Sequence, residues 1–158
     1  MPAPNKEIRA ILKELLETCR DGEQGYKNAA DDVKDDEIEK ILLKYSRQRN
    51  EFTRELEKII TGMGGEVEFA GSILGVLHRR WMDVIFAVAG SDAESILNEC
   101  LRGENAAINK YEEHLNKDLP GDIKKIVVTQ YNEIKAAYEE IKGLKESLLI
   151  GSYKSHKT

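Results

Sequence analysis

Four polar side chains stand where helical periodicity calls for apolar ones. Glu23 lies one turn beyond Cys19 and one turn before Tyr26, and Arg49 lies between Tyr45 and Phe52 with Gln48 beside it. Glu104 lies one turn past Cys100, and Gln130 lies between Val127 and Ile134. A charge taken out of water without a partner costs several kcal/mol, so four such residues at core positions must be arranged around one another or around a ligand. Two chemistries suit them, and a site for an unidentified small ligand is a third reading. Arg49 offers five donors, enough for two carboxylates to share while Gln130 completes a closed hydrogen-bond network. Alternatively Glu23, Glu104, Gln130 and a water form an oxygen-rich site for a single iron or manganese ion.

The neighbouring residues bear on that choice. Helical-bundle sites for two metals place a Glu on each of two helices and a Glu-x-x-His on each of the others. No Glu-x-x-His occurs here, and the three histidines are His78, His114 and His156. Arg49 also puts a permanent positive charge where metal charge would gather. Tyr26, Tyr45, Tyr111 and Tyr138 fall on or near the same stripes, with Gln48, Tyr26, Tyr111 and Tyr138 as candidates for a supporting shell. Tyrosines so placed serve either as electron carriers beside a metal or as bulky groups whose hydroxyls meet buried polar partners. His78, Arg79, Arg80 and Trp81 form the other conspicuous run. A phosphate site suits a His beside two Arg, but no phosphate loop and no nucleophile-base pair accompanies them. Packing by Trp81, with the basic residues paired to acidic faces, is the simpler expectation.

Four long helices must position these residues. The first is predicted from about Asn5 to Val33, with Ile8, Ile11, Leu12, Leu15, Leu16 and Cys19 recurring at steps of three and four. The second runs from about Asp36 to Thr61 and is stopped by Gly62-Met63-Gly64-Gly65. The third opens at Ser91-Asp92-Ala93-Glu94, a capping-box pattern, and continues to about Lys117. Leu119-Pro120-Gly121 then breaks the chain before a fourth helix from Asp122 to about Leu149. Residues 1–150 make one domain, and 151–158 a flexible polar tail. Short links make hairpins of helices 1 and 2 and of helices 3 and 4. Nearly 30 residues separate helices 2 and 3, and a shorter apolar helix from Ser72 is expected to run back along the bundle there. The alternative is a short helix capping one end. Hairpins of opposed direction also put Cys19 and Cys100 on opposite sides of the polar layer, beyond disulfide reach.

Composition excludes other classes. Charged residues make up 34% and aromatics 6%, which suits solvated helices rather than sheets. The net charge of −5 is spread along the chain, so no basic face for nucleic acid is expected. No apolar run approaches the roughly 20 residues of a membrane span, and the first ten residues lack a secretory pattern, so a cytoplasmic location is expected. A monomer or weak homo-oligomer suits the solvated faces; partner identity is unknown.

On ETCRDGEQGY in the first helix, NEFTREL in the second, GSILGVLHRRWMD in the connection, ECLRGENAAINKY in the third and VVTQY in the fourth, the chain resembles a bacterial family of four-helix bundles, domain of unknown function 2383. The resemblance spans roughly Ile8 to Leu144 and implies an all-α, ferritin-like antiparallel four-helix bundle with a long helical crossover between helices 2 and 3. It implies no established activity and no full di-iron ligand set. Glu23, Glu104, Tyr111, Gln130, His78 and Trp81 match the family's features, whereas Gln48 stands where an acidic residue is frequent. The expected protein is therefore a non-enzymatic bundle with a structural polar layer and no cofactor, the alternative being an iron- or manganese-binding protein with an oxidase or iron-handling role.

Overall fold

The computed structural model of the chain describes residues 5–65 and 93–157. Four helices fill them: α1 (Asn5–Asp32), α2 (Asp36–Gly62), α3 (Ala93–Leu115) and α4 (Gly121–Lys157). The expected crossover helix, with His78, Arg79 and Trp81, lies outside the described residues.

Local chemistry sets the helix ends. Asp35 caps α2: its carboxylate accepts from the backbone N–H of Glu37 at 2.9 Å and of Ile38 at 3.1 Å, satisfying donors with no partner inside the helix. At the other end Gly64 takes φ 80°, a left-handed conformation that a side chain would strain. Gly65 N then reaches Ile60 O and Gly64 N reaches Thr61 O, the paired bonds of a Schellman stop. The fourth helix continues to Lys157, eight residues past the end read from the apolar pattern. Gly151 is the only strong helix disfavourer there, at about 1 kcal/mol, and no proline follows it.

Cross-helix contacts fix the topology. Glu14 meets His114 and Cys19 meets Tyr111, so α1 and α3 run antiparallel. Tyr45 meets Glu140 and Gln130 meets Phe52, so α2 and α4 do likewise. The short links make α1 antiparallel to α2 and α3 antiparallel to α4. Helices α1 and α2 share the largest interface and α2 and α4 the smallest, while α2 and α3 are not in backbone contact. The cross-section is therefore a square with α2 and α3 on one diagonal. These two point the same way, so the C-terminus of α2 and the N-terminus of α3 lie at opposite ends of the bundle.

Two apolar clusters divide the interior. The lower cluster includes Ile8, Leu12, Leu15, Phe52, Leu56, Ile60, Tyr111, Val127 and Ile134. The upper includes Tyr26, Ala29, Ala30, Leu42, Tyr45, Leu97, Cys100, Ala137 and Ile141. Burying each large aliphatic side chain among them contributes roughly 1.5–3 kcal/mol. The division falls at one level in all four helices: between Cys19 and Tyr26, Tyr45 and Phe52, Cys100 and Ala107, and Ile134 and Ala137.

Candidate functional site

Arg49 occupies that dividing level at 1% exposure, with Glu104 at 3%. The guanidinium donates through Nη1 to Glu104 Oε1 at 2.5 Å and through Nη2 to Oε2 at 2.6 Å, a two-pronged pair that uses both carboxylate oxygens. The pair joins α2 to α3 across the diagonal. Above it the guanidinium carbon lies 5.5 Å from the Tyr26 ring centre, and below it 5.9 Å from that of Phe52. Burial works against the charge on Arg49, but the Glu104 carboxylate more than offsets it and holds the guanidinium protonated above its ordinary range. Burial first, then the same carboxylate, raises the Tyr26 hydroxyl well above the usual tyrosine value.

The fourth wall of the pair is backbone. A Cβ on Gly22 would stand 3.2 Å from Arg49 Nη1 and 3.4 Å from its Cγ, so the bare backbone of residue 22 gives the long arginine room that a side chain would crowd by a few tenths of an ångström. The apolar stripe of α1 leads one to expect Glu23 at this position. Glu23 is instead half-buried, and its Oε1 accepts from Asn50 Nδ2 at 3.0 Å on the α1–α2 seam. Its backbone carbonyl accepts from Ser46 Oγ at 2.9 Å. The correction is one of phase: at 100° per residue, Gly22 and Glu23 lie equally far to either side of the direction midway between Cys19 and Tyr26, and it is Gly22 that faces Arg49.

Gln130 is buried at 1% exposure, one layer below. Its Oε1 accepts from the Tyr111 hydroxyl at 2.7 Å, and its Nε2 lies 3.3 Å from Glu55 Oε1 and 3.4 Å from Phe52 O. The Tyr111 proton goes to Gln130, so the Cys19 thiol 3.0 Å away must donate to the phenol oxygen. Burial pushes that thiol up to about 11. Burial raises Cys100 too, followed by Glu104. Both cysteines are free, and they lie in different clusters on opposite sides of the ion pair.

The supporting tyrosines divide by role. Tyr26 stacks tilted on Tyr45 at 5.6 Å, and the Tyr45 hydroxyl donates outward to Glu140, which also holds Lys44 at 2.7 Å. Tyr138 is only partly buried, its neighbour Ala137 taking the interior position. Gln48 is half-buried, with Oε1 enclosed and unpartnered. His114, which the sequence presents only as a histidine without a Glu-x-x-His, is 2% exposed, and its Nε2 joins Glu14 across the α1–α3 seam. A signal for it exists in the sequence, because His114 continues the stripe of Ala107 and Tyr111.

The metal ligand set expected from Glu23, Glu104 and Gln130 does not fit a cation. Glu104 gives both oxygens to Arg49, Glu23 faces Asn50, and Gln130 faces Tyr111. Among the described residues no three His, Cys, Asp or Glu side chains gather in a metal-holding group. No helix among them is long and apolar enough to cross a membrane.

The fold is that of an all-α four-helix bundle with a charge pair at its centre. The chain matches the family described as Domain of unknown function (DUF2383) over residues 7–117. It belongs to that family, and the matched region takes in Gly22, Arg49, Glu104 and Tyr111. No curated protein matches the chain significantly.

Proposed function

We propose that the chain is a non-enzymatic scaffold of the ferritin-like kind, working in the cytoplasm through its outer helix faces or through weak self-association, with its buried charges serving architecture. The observation that carries this reading is the complete use of Glu104 by Arg49 at 2.5 and 2.6 Å. A carboxylate held on both oxygens by a permanent cation already has its charge balanced, and the adjacent positive charge repels a metal. A buried polar contact of this kind can specify which helices pair and in what register, since any slip leaves both charges unpartnered. The competing reading is an iron- or manganese-dependent oxidase or iron-handling protein. Protein purified without chelator, loaded with ferrous iron or manganese and subjected to elemental analysis, separates the two. The scaffold reading expects no stoichiometric metal, with Glu23→Ala and Glu104→Ala altering stability alone. Stoichiometric metal that disappears in either variant overturns it.

A further inference from the structure

We propose that the level of Arg49 and Glu104 is a boundary between two cooperative units, and that the upper unit opens reversibly while the lower stays folded. Four independent features meet at this level. The apolar core is interrupted there on three helices, between Cys19 and Tyr26 on α1, Tyr45 and Phe52 on α2 and Cys100 and Ala107 on α3, while α4 passes from Ile134 to Ala137 at an ordinary helical step. A charge pair fills the gap, and it holds only while both helices that carry it stay in place.

Helix continuity is also weakened there on α1 and α3. Gly22 and Gly25 on α1 and Gly103 on α3 fall at the boundary, and each glycine in a helix interior costs about 1 kcal/mol relative to alanine. The Glu23 carbonyl on α1 is drawn to Ser46 Oγ at 2.9 Å, and Thr53 Oγ1 donates back to the Arg49 carbonyl on α2 at 2.9 Å. Side-chain donors that enter the backbone ladder in this way favour bending.

The two units are unequal among the described residues. The lower cluster has Cys19 and Ala107 as its small members among many Ile and Leu, whereas the upper has Ala29, Ala30, Ala137 and Cys100 among Tyr26, Leu42, Tyr45, Leu97 and Ile141. Smaller side chains bury less area, so the upper unit is the less stable one. When it opens, the apolar faces about Tyr26, Leu42 and Leu97 become accessible while α1 and α3 remain joined below through Cys19–Tyr111 and Glu14–His114. The bundle thereby has a second form, in which interior surface can be presented without global unfolding.

Native-state hydrogen exchange on the intact chain tests this. Amides in 26–32, 38–45, 96–102 and 137–144 are expected to exchange as one group, about tenfold or more faster than those in 8–19, 52–60, 107–114 and 123–134. A single protection class, or classes that divide the two hairpins rather than the two ends, overturns the proposal. Thiol labelling gives a second readout with single-cysteine proteins. Cys100, read in Cys19→Ala, should label faster than Cys19, read in Cys100→Ala, once each rate is corrected for its value in the unfolded chain. Equal rates, or the reverse order, also overturn it. The double replacement Arg49→Met with Glu104→Leu makes the core continuous and should narrow the gap between the two exchange groups; an unchanged gap removes the pair from the boundary.

Discussion

Arg49→Met tests the central pair most directly. The substitution keeps a long flexible side chain over Gly22 but removes the cation, leaving the Glu104 carboxylate, 3% exposed, with neither of its bonds at 2.5 and 2.6 Å. Breaking a buried pair in this way costs about 3–5 kcal/mol, the penalty of an uncompensated internal charge. A domain's whole stability is roughly 5–15 kcal/mol, so the variant loses much of its margin. Urea unfolding followed by helical circular dichroism reads the loss. With a slope of about 2 kcal/mol per molar urea, the midpoint falls by on the order of 2 M. The decisive comparison is the double replacement Arg49→Met with Glu104→Leu, which removes both charges and fills the space. It should recover to within about 1 kcal/mol of the parent or exceed it. A single variant that costs less than about 1 kcal/mol would mean that Glu104 finds another partner or turns to solvent, and the reasoning about this layer would fail. A double variant that loses the sum of its parts would fail it as well.

Two further outcomes follow from the same layer. Gly22→Ala should destabilise the parent protein, since its Cβ would press on a guanidinium that Glu104 holds in place, yet it should stabilise the Arg49→Met background by about 1 kcal/mol through helix propensity; thermal melts of the four proteins in this cycle give the sign. Alkaline stability is expected to fall as pH rises. The Cys19 thiol titrates near 8.5 when unfolded and at about 11 when folded, so its contribution is complete below the first value and is lost on passing through the second. Cys100, Tyr26 and Tyr111 are raised by burial and act in the same direction. Urea midpoints measured from neutral to strongly alkaline pH, with tyrosinate absorbance recorded alongside, check it; a flat profile would show that these groups are not enclosed.

Much of the fold is readable because its determinants are local. Asp35 before an acidic first turn, Gly64 where a left-handed residue is required and Pro120 at the last break are each visible within a few residues. The apolar stripes likewise place Arg49, Glu104 and Gln130 inside, because helical phase is reliable over one or two turns. Glu23 shows where it fails. Neighbouring residues on a helix differ by 100°, and whether position 22 or 23 faces inward depends on a rotation of α1 set by what it packs against. Pairing is harder still to read. That Glu104 rather than Glu23 takes Arg49, that Cys19 donates to Tyr111, and that His114 joins Glu14 all depend on the offset between helices distant in sequence. The missed glycine has a further reason, since its contribution is an absence of volume, which no search for chemical groups reveals.

The diagonal course of the central pair bears on the shape of the molecule. A square frame of four rods joined only along its sides deforms into a rhombus at little expense, since each side keeps its length while the angles change. One strut across a diagonal removes that freedom. Arg49 and Glu104 form such a strut between α2 and α3, helices that otherwise share no backbone contact. The reach of an arginine plus a glutamate thus sets one diagonal, and through it the opening between α1 and α4 on the other. The paired replacement Arg49→Lys with Glu104→Asp, equal in charge but shorter, would draw α2 and α3 together and splay α1 from α4, so that side-chain length at two positions tunes the cross-section of the whole bundle.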